Sequence, residues 1–256
     1  MREIRRFFIA LGYFTRLPVP ASVGWSATEL NRATRYFPLV GMLVGACAAG
    51  VLWLGLALFP PTVALVLSML VSLLLTGAFH EDGLADSADG FGGGWEKSRV
   101  LAIMKDSRIG TYGACALVMA LLLKFTALQS LGQHALIALP LVHALSRVPP
   151  LLIMAGMQYV REDDHSRAKP VAEGLGPTDW LTGSLLGLLP LLAGVGLGLI
   201  SAPRALALLL GLTIAGLLCA RYFKHRIGGY TGDALGAAQQ VCELSAYLIL
   251  CMQLIA

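Results

Sequence analysis

The sequence predicts an all-α fold, a polytopic integral membrane helical bundle of about seven transmembrane helices with an N-terminal interfacial helix. Two observations carry that expectation. Hydrophobic residues make up 57% of the 256 and charged residues only 13%, with a mean hydropathy of +0.73, which is more apolar residue than a soluble core needs. These residues are also gathered into runs that reach the roughly 20 positions a helix requires to cross a hydrocarbon layer of about 30 Å.

The chain opens with MREIRRFFIALGYFTRLPVP, basic residues followed by a short apolar run. No small-residue cleavage motif follows and Pro18 and Pro20 end the run, so it reads as an amphipathic helix lying at the interface rather than a signal peptide. Two spans come next, over 36–58 and 62–79, separated only by Phe59, Pro60 and Pro61. After a polar stretch, spans over 113–131 and 135–157 flank Gly132–His134, and spans over 181–200 and 205–220 flank Ser201–Arg204. A last span covers 235–255. No internal repeat and no Gly/Ser- or Pro-rich linker divides the chain, so residues 1–256 read as one membrane catalytic domain.

Orientation follows from the cations. Of the 19 Lys and Arg residues, 16 fall in the loops on the N-terminal side of the spans, Arg204 lies opposite, and Lys124 and Arg147 sit inside spans. By the positive-inside rule the N-terminus is cytoplasmic. Loops on the other side are tiny, so function is expected on the cytoplasmic face of the cell membrane. The net charge of +4 is explained by topology and anionic membrane lipid and gives no argument for nucleic-acid binding. The five cysteines stand singly in apolar runs without a CxxC pair, and read as small core residues.

The chemistry is expected in the loop from His80 to Trp95, where Glu81, Asp82, Asp86 and Asp89 fall within nine residues. If this segment begins as a helical continuation of the span, Asp82, Asp86 and Asp89 stand at i, i+4 and i+7 on one face. Carboxylates that close repel one another unless a cation holds them, and an all-oxygen set selects Mg²⁺ or Mn²⁺. Asp106 could add a carboxylate and Arg108 could neutralise phosphate charge. A second candidate is the run from Arg221 to Gly236, in which Lys224, Arg226, Gly228, Gly229 and Asp233 place basic groups and a Gly-rich turn before a helix, a setting suited to phosphate. Arg147, with His143 one turn before it, is an ionisable group at membrane depth, to be paired with Glu243 or to meet substrate phosphate. Lys124 reads as a snorkelling or pairing residue. The mixed-charge stretch 159–179, with Glu162, Asp163, Asp164, His165 and Lys169, reads as a solvated loop.

The strings GAFHEDGLADSADG (77–90) and IMKDSRIGTYG (103–113) closely resemble those of the adenosylcobalamin 5′-phosphate synthase (cobalamin synthase) family. FTRLPVP (14–20), YFPLVG (36–41) and GGYTGDALGA (228–237) support the resemblance, which spans nearly the whole chain. It implies a transferase that joins adenosylcobinamide-GDP to a hydroxyl of α-ribazole or its 5′-phosphate and releases GMP. It further implies Mg²⁺ held by Glu81, Asp82, Asp86, Asp89 and Asp106. Asp82, Asp86, Asp89, Asp106 and Arg108 would be the catalytic residues, with Asp106 or Asp89 as general base. Arg16, Arg147, Lys224, Arg226, Gly228, Gly229 and Asp233 would bind substrate. A homo-oligomer stays open. Two rivals are a CDP-alcohol phosphotransferase, whose acidic motif matches only in part, and a cation transporter using Glu243, Lys124 and Arg147.

Overall fold

The computed structural model describes residues 2–24, 26–160 and 175–252. The loop residues Glu162, Asp163, Asp164, His165 and Lys169 and the end of the last expected span therefore lie outside the described residues. Those described form twelve α-helices, in chain order α1 (Arg2–Phe14), α2 (Ala27–Ala33), α3 (Phe37–Leu58), α4 (Pro61–Thr76), α5 (Phe79–Gly93), α6 (Lys97–Met104), α7 (Thr111–Leu131), α8 (Ala135–Leu145), α9 (Val148–Gly156), α10 (Pro177–Gly196), α11 (Ala202–Ile227) and α12 (Gly232–Cys251). Large apolar side chains such as Trp53, Leu74, Leu185 and Leu217 stand exposed on the long helices. An exposed apolar surface of that kind needs lipid to cover it, and the chain is a multi-pass membrane protein.

Among the described residues, length and composition return five helical stretches able to cross a membrane, or up to six when a bent pair is counted as one span, which bears out the membrane helical bundle without confirming the count of seven. The difference arises at two places. α4 has 16 residues, short of a full crossing, and continues into α5 only after an 85° bend. The expected spans 113–131 and 135–157 fall in one helical stretch, 111–156. Its 46 residues would be about 69 Å long if straight, over twice the hydrocarbon thickness. A 3₁₀ turn at Gly132–His134, with Gly132 at φ +55°, interrupts it.

Prolines set several starts and one internal break. Pro61, Pro177 and Pro203 occupy the first turns of α4, α10 and α11, where their missing N–H is no loss. Pro149 and Pro150 cannot donate to the carbonyls four residues back, which ends α8 at Leu145 and restarts the helix as α9. Arg147 sits in that break.

α3 packs along α4 and α8, α12 along α5 and α11, and α7 against α5 and α12. One core cluster, including Leu52, Leu128, Leu139, Leu208 and Tyr247, fills the middle of the bundle. A second, including Leu30, Phe37, Met104, Ile227 and Tyr230, lies where α1, α2, α6 and the end of α11 meet. α1 is amphipathic as expected, but its apolar face is covered by the chain itself: Phe14 stacks on Phe37 at 4.2 Å and Phe7 meets Tyr36 edge-on. Among the cysteines only Cys242 is fully buried; Cys47 and Cys115 are exposed on their helices, which corrects their reading as core residues.

The bend between α4 and α5 is made by two successive left-handed residues, Gly77 at φ +64° and Ala78 at φ +55°. A side chain at 77 would also meet Arg16, whose Nε lies 2.4 Å from the Cβ position. Gly77→Ala is expected to lower stability by about 1–2 kcal/mol, measured as a fall in Tm in detergent.

Candidate functional site

The acidic segment is helical, as its spacing requires, but it is a separate helix and not a continuation of the preceding span. α5 is 15 residues long, about 22 Å, and different groups hold its two ends. At the start, α12 comes in closely against Gly83, where a Cβ would stand 2.8 Å from the Asp233 carbonyl oxygen. Glu81 is buried and its Oε1 accepts from Gln240 Nε2 of α12 at 3.1 Å. At the far end, Asp89 accepts from the backbone N–H groups of Gly110 at 2.6 Å and Gly113 at 2.8 Å. These are orphan donors of the first turn of α7, whose N-cap Gly110 has no side chain to satisfy them. Asp89 caps a neighbouring helix and adds negative charge at the positive end of its dipole.

Arg226 also serves this far end. Its Nη2 donates to the carbonyls of Phe91 at 3.0 Å and Gly94 at 2.5 Å, its Nη1 donates to the Tyr222 hydroxyl at 2.7 Å, and its guanidinium lies over the Phe91 ring. These are the last carbonyls of α5, the kind of acceptor a basic side chain satisfies at a helix C-terminus. Gly228, at φ +80°, terminates α11. Gly229 packs on the Gln158 carbonyl, beside the bridge that joins Tyr159 to Tyr230. Lys224 is exposed on the last turn of α11.

Asp82 is exposed and Asp86 half-buried, one turn apart on α5. Asp233, in the first turn of α12, has its backbone against Gly83. Arg16 is exposed over the bend at Gly77. These four gather on and against the first two turns of α5. Asp89, Arg226, Gly228 and Gly229 belong to its last turns and their neighbours. Asp106 and Arg108 lie on the loop before α7 and hold each other: Arg108 Nη2 donates to Asp106 Oδ2 at 2.7 Å, with Arg108 Nε on Oδ1 at 3.0 Å.

That bidentate contact pulls the Asp106 carboxyl from 3.8 down to about 2. In this arrangement the Asp106 carboxylate is engaged by Arg108 and both Asp89 oxygens by backbone N–H donors. Among the described residues no three His, Cys, Asp or Glu side chains are grouped to hold one ion. The five acids do not form a cage: Glu81 is turned to Gln240, Asp89 to α7 and Asp106 to Arg108.

At membrane depth the expected Arg147–Glu243 pair is not the one formed. Lys124 of α7 takes Glu243 instead, Nζ to Oε1 at 2.5 Å, with His143 Nε2 3.6 Å from the same oxygen. Arg147 is 2% exposed. Its backbone N–H turns to Ala144 at the proline break, which frees the His143 carbonyl, and its own Nη1 then donates to that carbonyl at 2.5 Å. The guanidinium carbon lies 5.2 Å from the centre of the Phe37 ring. Sequence reasoning missed Gln239 and Gln240. Two adjacent amides in an apolar span, with a Glu four residues after the first, were the signal available.

Fold and site define a multi-pass helical membrane protein whose acidic face is carried on a helix bent out of a span. A family model described as cobalamin-5-phosphate synthase matches residues 6–251. Relatives named adenosylcobinamide-GDP ribazoletransferase are similar across nearly their whole length. That of Shewanella amazonensis is 49% identical over 97% of this chain and 95% of its own, and that of Shewanella oneidensis 47% over 97% and 94%. That of Leptothrix cholodnii is 46% identical over 97% and 95%. No solved structure matches. The chain belongs to the cobalamin-5-phosphate synthase family.

Two outcomes separate the acids that hold the fold from those that face outward. Asp89→Ala is expected to cost about 1–2 kcal/mol through the lost caps of α7, whereas Asp82→Asn should change stability by under about 0.5 kcal/mol; thermal unfolding in detergent checks both. The folded-state pKa of Asp106 lies below its ordinary value, so the group stays ionised as pH falls and protonates only near 2. Asp106→Asn should accordingly leave the shape of the pH–rate profile above about pH 4 unchanged, while Arg108→Gln should return the Asp106 carboxyl towards the ordinary range in a carboxyl NMR titration.

Proposed function

We propose that the chain joins the lower nucleotide to the corrinoid. It would transfer the phosphoryl group nearest cobinamide in adenosylcobinamide-GDP to a ribose hydroxyl of α-ribazole or its 5′-phosphate, and GMP would leave. With the 5′ position phosphorylated in the second acceptor, the nucleophile there is another ribose hydroxyl. Relatives carrying this enzyme name over nearly the whole chain support the substrates. The observation that carries the site is the placing of Asp82, exposed, and Asp86, half-buried, one turn apart on α5, with the Asp233 backbone against Gly83 between them.

The donor set suits Mg²⁺. This ion is commonly held by one or two carboxylates, with water and substrate phosphate oxygens completing its shell. Asp82 and Asp86 meet that requirement without a third protein ligand. When bound, the ion would offset charge on the diphosphate and on departing GMP. Arg16 and Lys224, both exposed, and the Arg108 guanidinium offer cations to the remaining phosphate oxygens. The fork of Arg108 is pre-oriented by Asp106. The distribution of 16 of 19 cations supports a cytoplasmic site at the inner membrane, with the corrinoid approaching along the lipid surface.

Purified protein in liposomes, given adenosylcobinamide-GDP and α-ribazole or its 5′-phosphate, should release GMP and form corrinoid product only with Mg²⁺ present. Asp82→Asn and Asp86→Asn should each lower kcat by about 10²-fold or more while remaining folded. Absence of product from folded wild-type protein would reject the reading, and turnover of a CDP-activated lipid would replace it with a CDP-alcohol phosphotransferase.

A further inference from the structure

A continuous polar chain runs through the bundle from α7 to α5. Lys124 pairs with Glu243 Oε1 at 2.5 Å; Glu243 Oε2 accepts from Gln239 Nε2 at 2.7 Å; Gln239 Oε1 accepts from Gln240 Nε2 at 2.9 Å; and Gln240 Nε2 reaches Glu81 Oε1 at 3.1 Å. Gln239 Nε2 also donates to the Ser146 hydroxyl of the α8–α9 break at 3.0 Å. Every member is buried, from Gln239 at 0% to Glu81 at 9% exposure.

Resting on the reading that Asp82 and Asp86 face the diphosphate, we propose that Lys124, Glu243, Gln239 and Gln240 are positioning residues that set the rotation of α5 through Glu81. Three arguments support this. A buried ion pair adds little net stability compared with apolar side chains of the same shape, and its best-attested use is to fix register. The chain ends on the residue next to Asp82, so any turn of α5 that moves Asp82 and Asp86 must break the Gln240–Glu81 hydrogen bond. The α5–α12 contact at Gly83 is backbone against backbone, so no side chain interlocks the helices at that point, and the Gln240–Glu81 hydrogen bond adds a directional contact at this end of α5, as Asp89 and Arg226 do at the other.

The test uses Gln240→Leu and the double variant Lys124→Met/Glu243→Met, which removes both charges and leaves neither unpaired. For each, Tm, kcat, KM for adenosylcobinamide-GDP and hydrogen exchange of the α5 amides are measured in liposomes or detergent. Both variants should stay folded, with kcat lower by about tenfold or more, since misplacement by 1 Å is enough for that. KM should stay unchanged, and exchange should quicken in α5 but not in α3 or α8. A folded variant with wild-type kcat and wild-type α5 exchange would overturn the proposal. Unfolding of both variants would overturn it too, since the network would then hold the fold and not the helix. If wild-type protein makes no product, the reading of function fails, and α5 exchange alone decides the role of the network.

Discussion

At Gly77 and Ala78 the backbone takes two left-handed conformations in a row, and the helix that follows leaves at 85° to the one before. Had α4 run straight on, the helix begun at Pro61 would have covered the roughly 30 Å of hydrocarbon by about residue 80, and Glu81, Asp82, Asp86 and Asp89 would have stood out beyond the membrane, away from the bundle. The bend takes the acids off the line of α4 while keeping α5 packed on α12 and α7. Only glycine adopts the first of these conformations freely; Ala78 is held in the second by its neighbours, its N–H bonded to the Leu73 carbonyl at 2.9 Å and its own carbonyl accepting from Asp82 at 2.9 Å.

Once α5 lies against the bundle, its acids divide into two kinds. Glu81 and Asp89 face protein and take N–H donors, one from Gln240 and one from the start of α7. Asp82 is exposed and Asp86, one turn on, half-buried. The helical period accounts for Glu81 but not for Asp89. With 100° per residue, positions 82, 86 and 89 share a face about 60° wide, and 81 lies about 110° from the middle of it. Asp89 stays on the common face but is drawn into contact because the start of α7, with Gly110 and Gly113, closes over that end. Holding a helix and presenting carboxylates to phosphate thus use the same residue type in one motif.

How much of this the sequence shows depends on the length of structure each residue answers to. Apolar runs, the helical spacing of the acids and the Gly-rich turn before α12 are local, and each is visible in a few adjacent residues. The splitting at Arg147 overturns the expectation of one unbroken span over 135–157, although its signal was local too, since Pro149 and Pro150 deny α8 its last donors. The partners of the ionisable groups were not. Whether Glu243 meets Lys124 or Arg147 depends on the rotation of α7 and α8 about their axes, which pattern alone does not give. Arg226 illustrates the same limit: a cation before a Gly-rich turn suits phosphate, yet the nearest acceptors are the carbonyls ending α5, and only the packing of α11 on α5 brings them there.

Ionisable residues at membrane depth ordinarily suggest an ion pathway, and Lys124, Glu243 and Arg147 invited that reading. The geometry argues for a fixed structure. A conducting carboxylate must exchange partners as the ion passes, whereas Glu243 is 1% exposed, with Lys124 on one oxygen and Gln239 on the other. Lys124 and Glu243 neutralise each other, and Arg147 lies against a carbonyl and an aromatic ring on the far side of the helix break. Low dielectric makes these contacts directional and costly to break, which suits a part that must keep its place. In this bundle the buried charges bear on where α5 sits, and the outward charges on what it meets.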